Sequence, residues 1–249
     1  MNTLCFSNVS AVVFDKDGTL IDFDAFWVSV SERATELILS QLGIVESSNE
    51  IVSEVLFAYG IRSGVTDIDG VLCKGTYRQM SDIFADILLR YGYAVDKDEF
   101  HKMLLKAYEE ATSVGVIAPT SVRLKESLLL LREQGIRLFV VTTDNLEITE
   151  KCLAGLGILE LFDKIYCDDG IMPTKPNPAA IDDLTKSFGI DKSEIVMVGD
   201  TMTDIRFAKN AGVRAIGLAR CEANAEKLRP HADMVLCNAA ELVSVIGEG

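Results

Sequence analysis

Short apolar runs that end in Asp, Thr or Gly, alternating with helical patterns, constrain this chain more than any other feature. Ala11–Asp15, Arg137–Thr142, Ile195–Gly199 and Val213–Gly217 are β-branched and almost continuously apolar. That is the habit of strands buried on both faces of a parallel sheet. Ser121–Gln134, Leu146–Leu156, Ala179–Phe188 and Ile205–Ala211 carry helical periodicity. Strand, helix, strand, helix predicts an α/β domain.

One stretch breaks the rhythm. From Phe23 to Val116 the pattern is helical, with no convincing strand. Phe26, Trp27, Val30, Ala34, Leu37, Ile38 and Leu42 share one helical face, and so do Tyr77, Met80, Ile83, Phe84, Ile87, Leu88 and Tyr91. Phe100, Met103, Leu104, Ala107, Tyr108 and Ala111 form a third stripe. These aromatic and Met side chains read as core. The expected organisation is an α/β domain of residues 1–22 and 117–249 with an all-helical insert at 23–116.

Composition narrows the function. The chain has 249 residues, 49% hydrophobic and 25% charged, enough to bury a core and too apolar for disorder. A net charge of −14 argues against a nucleic-acid or anionic-membrane surface. No apolar run approaches the length a membrane helix needs. Met1–Ser10 has neither a basic start nor a cleavable apolar stretch, so a cytoplasmic protein is expected. Cys5, Cys73, Cys152, Cys167, Cys221 and Cys237 form no C-x-x-C pair and are expected as buried or half-buried free thiols. His101 and His231 lack the spacing of a zinc site.

In open α/β sheets, ligands bind outside the carboxyl ends of the strands. Asp15-Lys16-Asp17-Gly18-Thr19-Leu20 follows the first strand, and Thr142 and Thr143 follow the next. Lys175 lies in a Lys-Pro-Asn-Pro stretch, and Gly199-Asp200-Thr201-Met202-Thr203-Asp204 follows a further strand. Each piece alone suits a turn or a helix cap. Together, three or four carboxylates at one sheet edge would repel unless a cation joined them, and all-oxygen ligands suit Mg²⁺. Lys16, between the two aspartates, is expected to point away from both and to be structural or exposed. Asp144 with Glu147 reads as a capping box, and Asn177 before Pro178 as an N-cap.

These motifs resemble the haloacid dehalogenase superfamily of phosphohydrolases, in its phosphoglycolate-phosphatase-like branch with a helical cap. Phe14-Asp15-Lys16-Asp17-Gly18-Thr19-Leu20, Val140-Val141-Thr142, Lys175-Pro176-Asn177-Pro178 and Val198-Gly199-Asp200 with Asp204 stand in the family's order. Phe162-Asp163-Lys164-Ile165 through Asp168-Asp169 looks like its usual third strand and turn. The resemblance implies a Rossmann-like core with residues 23–116 as the cap.

It also implies roles. Asp15 would be the nucleophile that becomes an aspartyl-phosphate, and Asp17 the general acid, with a raised pKa. Mg²⁺ would be held by the Asp15 carboxylate, the Asp17 carbonyl and Asp200, with Asp204 as a further ligand or as a partner behind them. Thr142 would hold phosphoryl oxygens, with Gly18 and Thr143 beside it, and Lys175 would offset negative charge. Thr143 and Asp144 depart from the Asn that many relatives carry after the first Thr, and Ile21-Asp22-Phe23-Asp24 departs from the usual Val-Asp-Ser. Lys74 and Arg78, around Gly75 before a helix, are the candidate cap contacts with an anionic substrate. The implied activity is a Mg²⁺-dependent phosphatase of small phosphorylated metabolites, working as a monomer or homodimer. A phosphomutase of the β-phosphoglucomutase kind and a non-catalytic phosphate-binding protein are the alternatives.

Overall fold

The structure, a computed structural model, describes residues 6–246. Its strands are β1 (Ala11–Phe14), β2 (Ile61–Arg62), β3 (Val65–Thr66), β4 (Arg137–Val141), β5 (Lys164–Tyr166), β6 (Ile195–Gly199), β7 (Arg214–Leu218) and β8 (Met234–Leu236). Six of them form one sheet in the order β5-β4-β1-β6-β7-β8, with every pair parallel. The chain leaves β1 for β4 and β5 on one side, then crosses to β6, β7 and β8 on the other. β1 is therefore the topological switch point, where α/β sheets bind ligands.

Continuous apolar character in β1, β4 and β6 follows from burial on both faces. Val13, Phe139, Val141 and Met197 pack on one face with Ile181, Leu184, Ile205 and Phe207 from helices Ala179–Phe188 and Met202–Ala211. Val12, Phe14, Leu138, Val140, Val196 and Val198 point the other way and are also buried. Each such side chain contributes about 1.5–3 kcal/mol by leaving water. The four strands expected from periodicity are present, and β5 stands where the family resemblance put a strand. The edge strand β8 is new: its three residues are all half-buried and too few for periodicity to register.

Residues Phe23–Val116 form one compact unit, and the sequence on either side of them forms the other. Helices Phe23–Gln41, Ser48–Ala58, Tyr77–Arg90 and Lys97–Thr112 build the inner unit. Thr76 and Gln79 close a reciprocal capping box, and Asp96 accepts from the Asp98 and Glu99 amides. The Phe84 and Phe100 rings meet edge to face at 5.2 Å. In the first helix the buried face turns toward Ser31, Thr35 and Leu39, leaving Trp27, Leu37 and Leu42 half-buried.

This unit is not all-helical. β2 and β3 form a small antiparallel hairpin. Its tip residues Ser63 and Gly64 have φ of 52° and 76°, the paired left-handed geometry of a two-residue hairpin turn. The Ser-Gly dipeptide was the legible signal, whereas strands of two residues show no alternation.

Among the described residues no helix is long and apolar enough to cross a membrane. Cys73, Cys152, Cys167, Cys221 and Cys237 are free thiols, and Cys5 lies outside the described residues. Cys73, Cys221 and Cys237 are exposed, which corrects the expectation of buried or half-buried thiols.

Candidate active site

Register brings the motifs together. Phe14 pairs with Val140 on one side and Val198 on the other, so Asp15, Thr142 and Asp200 emerge at the same edge of the three central strands. The Asp15 amide donates to the Val198 carbonyl at 2.9 Å, and the Thr142 amide to that of Tyr166 at 2.9 Å.

Lys175 arrives on the loop before helix Ala179–Phe188. The Asn177 amide bonds the Thr174 carbonyl at 3.0 Å, and Asn210 Nδ2 donates to the Pro176 carbonyl at 2.9 Å. The Asn177 side chain accepts from the Ala179 amide at 3.0 Å, so it caps as expected although the helix begins one residue later. Lys175 Nζ bridges Asp15 Oδ1 at 2.5 Å and Asp204 Oδ1 at 2.6 Å, with the lysine side chain only 4% exposed. Burial works to lower its pKa, yet Asp15 and Asp204 outweigh that effect and the net shift is upward.

Asp204 is held from the other side by Thr201. Its Oδ2 accepts from the Thr201 amide at 3.1 Å and hydroxyl at 2.6 Å, within a capping box that opens helix Met202–Ala211. Both its oxygens are thus engaged by protein, and Asp204 stands behind the cluster holding Lys175.

Asp200 is the opposite case. Its Oδ1 is buried with no hydrogen-bond partner among the described residues. Burial first, then the charges of Asp15 and Asp204, push its pKa well above the carboxylate range. Burial likewise raises Asp15, to about 7, against the pull of Lys175. Ligand oxygens of Asp15, Asp200 and Asp204 lie within 4.8 Å of one another. Three crowded carboxylates, one ammonium and one orphaned oxygen make a donor set that suits a hard divalent cation.

Gly18 contributes space to this arrangement. A Cβ there would lie 2.1 Å from Asp200 Oδ2, and its φ of +78° disfavours any side chain. Its amide donates to the Ile21 carbonyl at 2.8 Å. Gly18→Ala is expected to cost about 1–2 kcal/mol in backbone strain alone, before Asp200 is displaced. A urea melt with the wild-type midpoint would contradict that.

Lys16 differs from expectation, because its side chain turns toward Asp17. Lys16 is fully buried, and its Nζ pairs with Asp17 Oδ1 at 2.7 Å and Asp144 Oδ2 at 2.8 Å. The strand ends at Phe14, so the alternation that would turn neighbouring side chains apart no longer applies. Burial raises the Asp17 pKa, with Lys16 opposing it. Asp144 is therefore an ion-pair partner and not a cap. The following helix, Leu146–Gly155, is capped by Asn145, whose side chain accepts from the Ile148 amide at 2.9 Å.

Thr142 is buried, and its hydroxyl accepts from the Asp144 amide at 3.2 Å, while Thr143 is exposed. Lys74 and Arg78 belong to the inner unit. There Lys74 pairs with Asp69, and Arg78 with Asp98 at 2.7 Å and Asp82 at 3.6 Å, all exposed. An anion at those cations would compete with carboxylates already in place. Sequence reasoning missed Asp144 and Thr201. The Thr-x-x-Asp spacing could have revealed Thr201, whereas nothing local marks Asp144 as a partner of Lys16.

The carboxyl edge of the parallel sheet thus gathers three aspartates and a buried lysine. The model of the haloacid dehalogenase-like hydrolases matches residues 9–212, and the chain belongs to that family. Pyrophosphatase PpaX of Halalkalibacterium halodurans is 29% identical over 242 residues, 96% of this chain and 97% of that protein. A phosphoglycolate phosphatase of Neisseria meningitidis is 31% identical over 212 residues, 85% of this chain and 80% of that one. A haloacid dehalogenase superfamily hydrolase of subfamily IA from Geobacter sulfurreducens superposes with a TM-score of 0.66 at 17% identity, covering 97% and 98% of the two chains. The family match makes the chain a hydrolase of the haloacid dehalogenase-like kind.

Proposed function

We propose that this protein is a Mg²⁺-dependent phosphatase of small phosphorylated metabolites that works through a phosphorylated Asp15. The observation that carries the proposal is Asp15 itself. It sits at the switch point of the sheet, bonded on one oxygen by Lys175, beside the unpartnered Oδ1 of Asp200.

Asp15 Oδ2 attacks phosphorus, and the phosphorus–oxygen bond to the leaving group breaks. The departing oxygen takes a proton from Asp17, which then accepts one from the water that hydrolyses the aspartyl-phosphate. Lys175 keeps Asp15 oriented and balances the negative charge gathered there. Asp204 and Thr201 fix Lys175, and the Thr142 hydroxyl offers a hydrogen bond to a phosphoryl oxygen. The Asp15 carboxylate, Asp200 Oδ1 and the Asp17 carbonyl would hold Mg²⁺, which supplies charge neutralisation at the phosphoryl group when bound.

Two curated relatives carry the names pyrophosphatase and phosphoglycolate phosphatase, so the substrate panel should include pyrophosphate, 2-phosphoglycolate and sugar phosphates. Phosphate release is expected with Mg²⁺ and is expected to vanish in EDTA. Release that survives EDTA would contradict the metal requirement. Isomerisation of a sugar phosphate without net release would identify a mutase, and ligand-induced melting shifts without turnover a binding protein.

A further inference from the structure

We infer that Lys16, anchored by Asp144, is the positioning residue for Asp17: its buried ammonium fixes the carboxyl group that serves the leaving group. The inference rests on the phosphatase reading and deepens it.

Lys16 is wholly buried between two carboxylates, each with a side chain about one-fifth exposed. Buried ion pairs are weak contributors to stability, because desolvating the charges offsets their attraction. An apolar side chain would fill the same place at no such cost, so the charge points to a requirement beyond packing. The ion pair falls on Asp17 Oδ1, so Oδ2 is the oxygen that would serve the leaving group. Asp144 follows the Thr142–Thr143 step after β4, and its amide donates to the Thr142 hydroxyl. A single ammonium thus ties the loop after β1 to the loop after β4, and sets Asp17 relative to the Thr142 hydroxyl.

The test compares kcat and KM for p-nitrophenyl phosphate and phenyl phosphate at saturating Mg²⁺. Phenolate is the poorer leaving group and depends more on Asp17. Lys16→Met is expected to lower kcat about tenfold more for phenyl phosphate than for p-nitrophenyl phosphate, with KM moving less than about twofold. Asp144→Asn is expected to shift the same ratio by about threefold, because it loosens Lys16 without removing it. Lys16→Arg should recover part of the loss.

A purely structural role is separated by the double variant Lys16→Met/Asp144→Leu. It removes both partners, so its melting temperature should lie closer to wild type than that of Lys16→Met. The leaving-group loss should persist, since Asp17 still lacks its anchor. Recovery of both the melt and the wild-type rate ratio in the double variant would overturn the inference. So would an equal loss on both substrates in Lys16→Met. Wild-type release of phosphate from p-nitrophenyl phosphate, abolished by Asp15→Asn, checks the phosphatase reading separately. If the wild type releases none, that reading fails and this inference with it.

Discussion

Asp15→Asn is expected to lower phosphate release by a factor on the order of 10⁴ or more, the scale on which removal of a covalent nucleophile acts. The amide keeps the shape of the carboxyl group and can still accept from Lys175, but it cannot carry the phosphoryl group. The fold should survive. Asp15, Asp200 and Asp204 place three carboxylates around one ammonium, and Asn at 15 relieves that crowding. In EDTA the variant should melt at or above the wild-type temperature. Mg²⁺ should then raise the melting temperature of the wild type more than that of the variant, because only the wild type offers the full ligand set. Phosphate release near the wild-type rate would sink the covalent mechanism. A melting temperature well below wild type in EDTA would show that Asp15 is needed for folding, against the crowding argument.

Lys175→Met is expected to damage both stability and turnover. It leaves Asp15 and Asp204 buried and unpaired, and breaking a buried pair in this way costs about 3–5 kcal/mol. At about 2–4 °C per kcal/mol for a domain of this size, the melting temperature should fall on the order of 10 °C. Mg²⁺ should recover part of that fall by offsetting the charge of Asp15 beside Asp200, whereas turnover should stay low because Lys175 no longer orients Asp15. A scan with and without Mg²⁺, run beside a phosphate assay, checks both. Unchanged stability would mean that Asp15 and Asp204 find other compensation, and full recovery of turnover with Mg²⁺ would remove Lys175 from the machinery.

Periodicity made the central sheet legible. β1, β4 and β6 are buried on both faces, so their apolar runs have no polar interruptions and stand out in one dimension. The same reasoning failed at β8 and at the β2–β3 hairpin, where elements of two or three residues carry no measurable period. It failed differently in the first helix, where the buried face includes Ser31 and Thr35, polar residues that a hydrophobic stripe passes over. The Thr35 hydroxyl is satisfied by the Ser31 carbonyl at 2.7 Å, a local bond that hydropathy does not record.

By itself the sequence determined the α/β class, the family and the residues gathered at the sheet edge. Strand periodicity is local, and a catalytic motif must keep its residue types at fixed spacing. Only the tertiary structure decided who holds whom. Asp144 looked like a cap of the next helix and is the partner of Lys16, while Asp204, expected as a ligand or as a partner behind the ligands, has its oxygens on Lys175 and Thr201. Lys16 and Asp144 are 128 positions apart, and Asp15 and Lys175 are 160 apart. Their pairing depends on the register of β1 against β4 and on a loop anchored by Asn210. An ion pair between distant residues leaves no pattern along the chain, because its energy exists only when folding removes both charges from water.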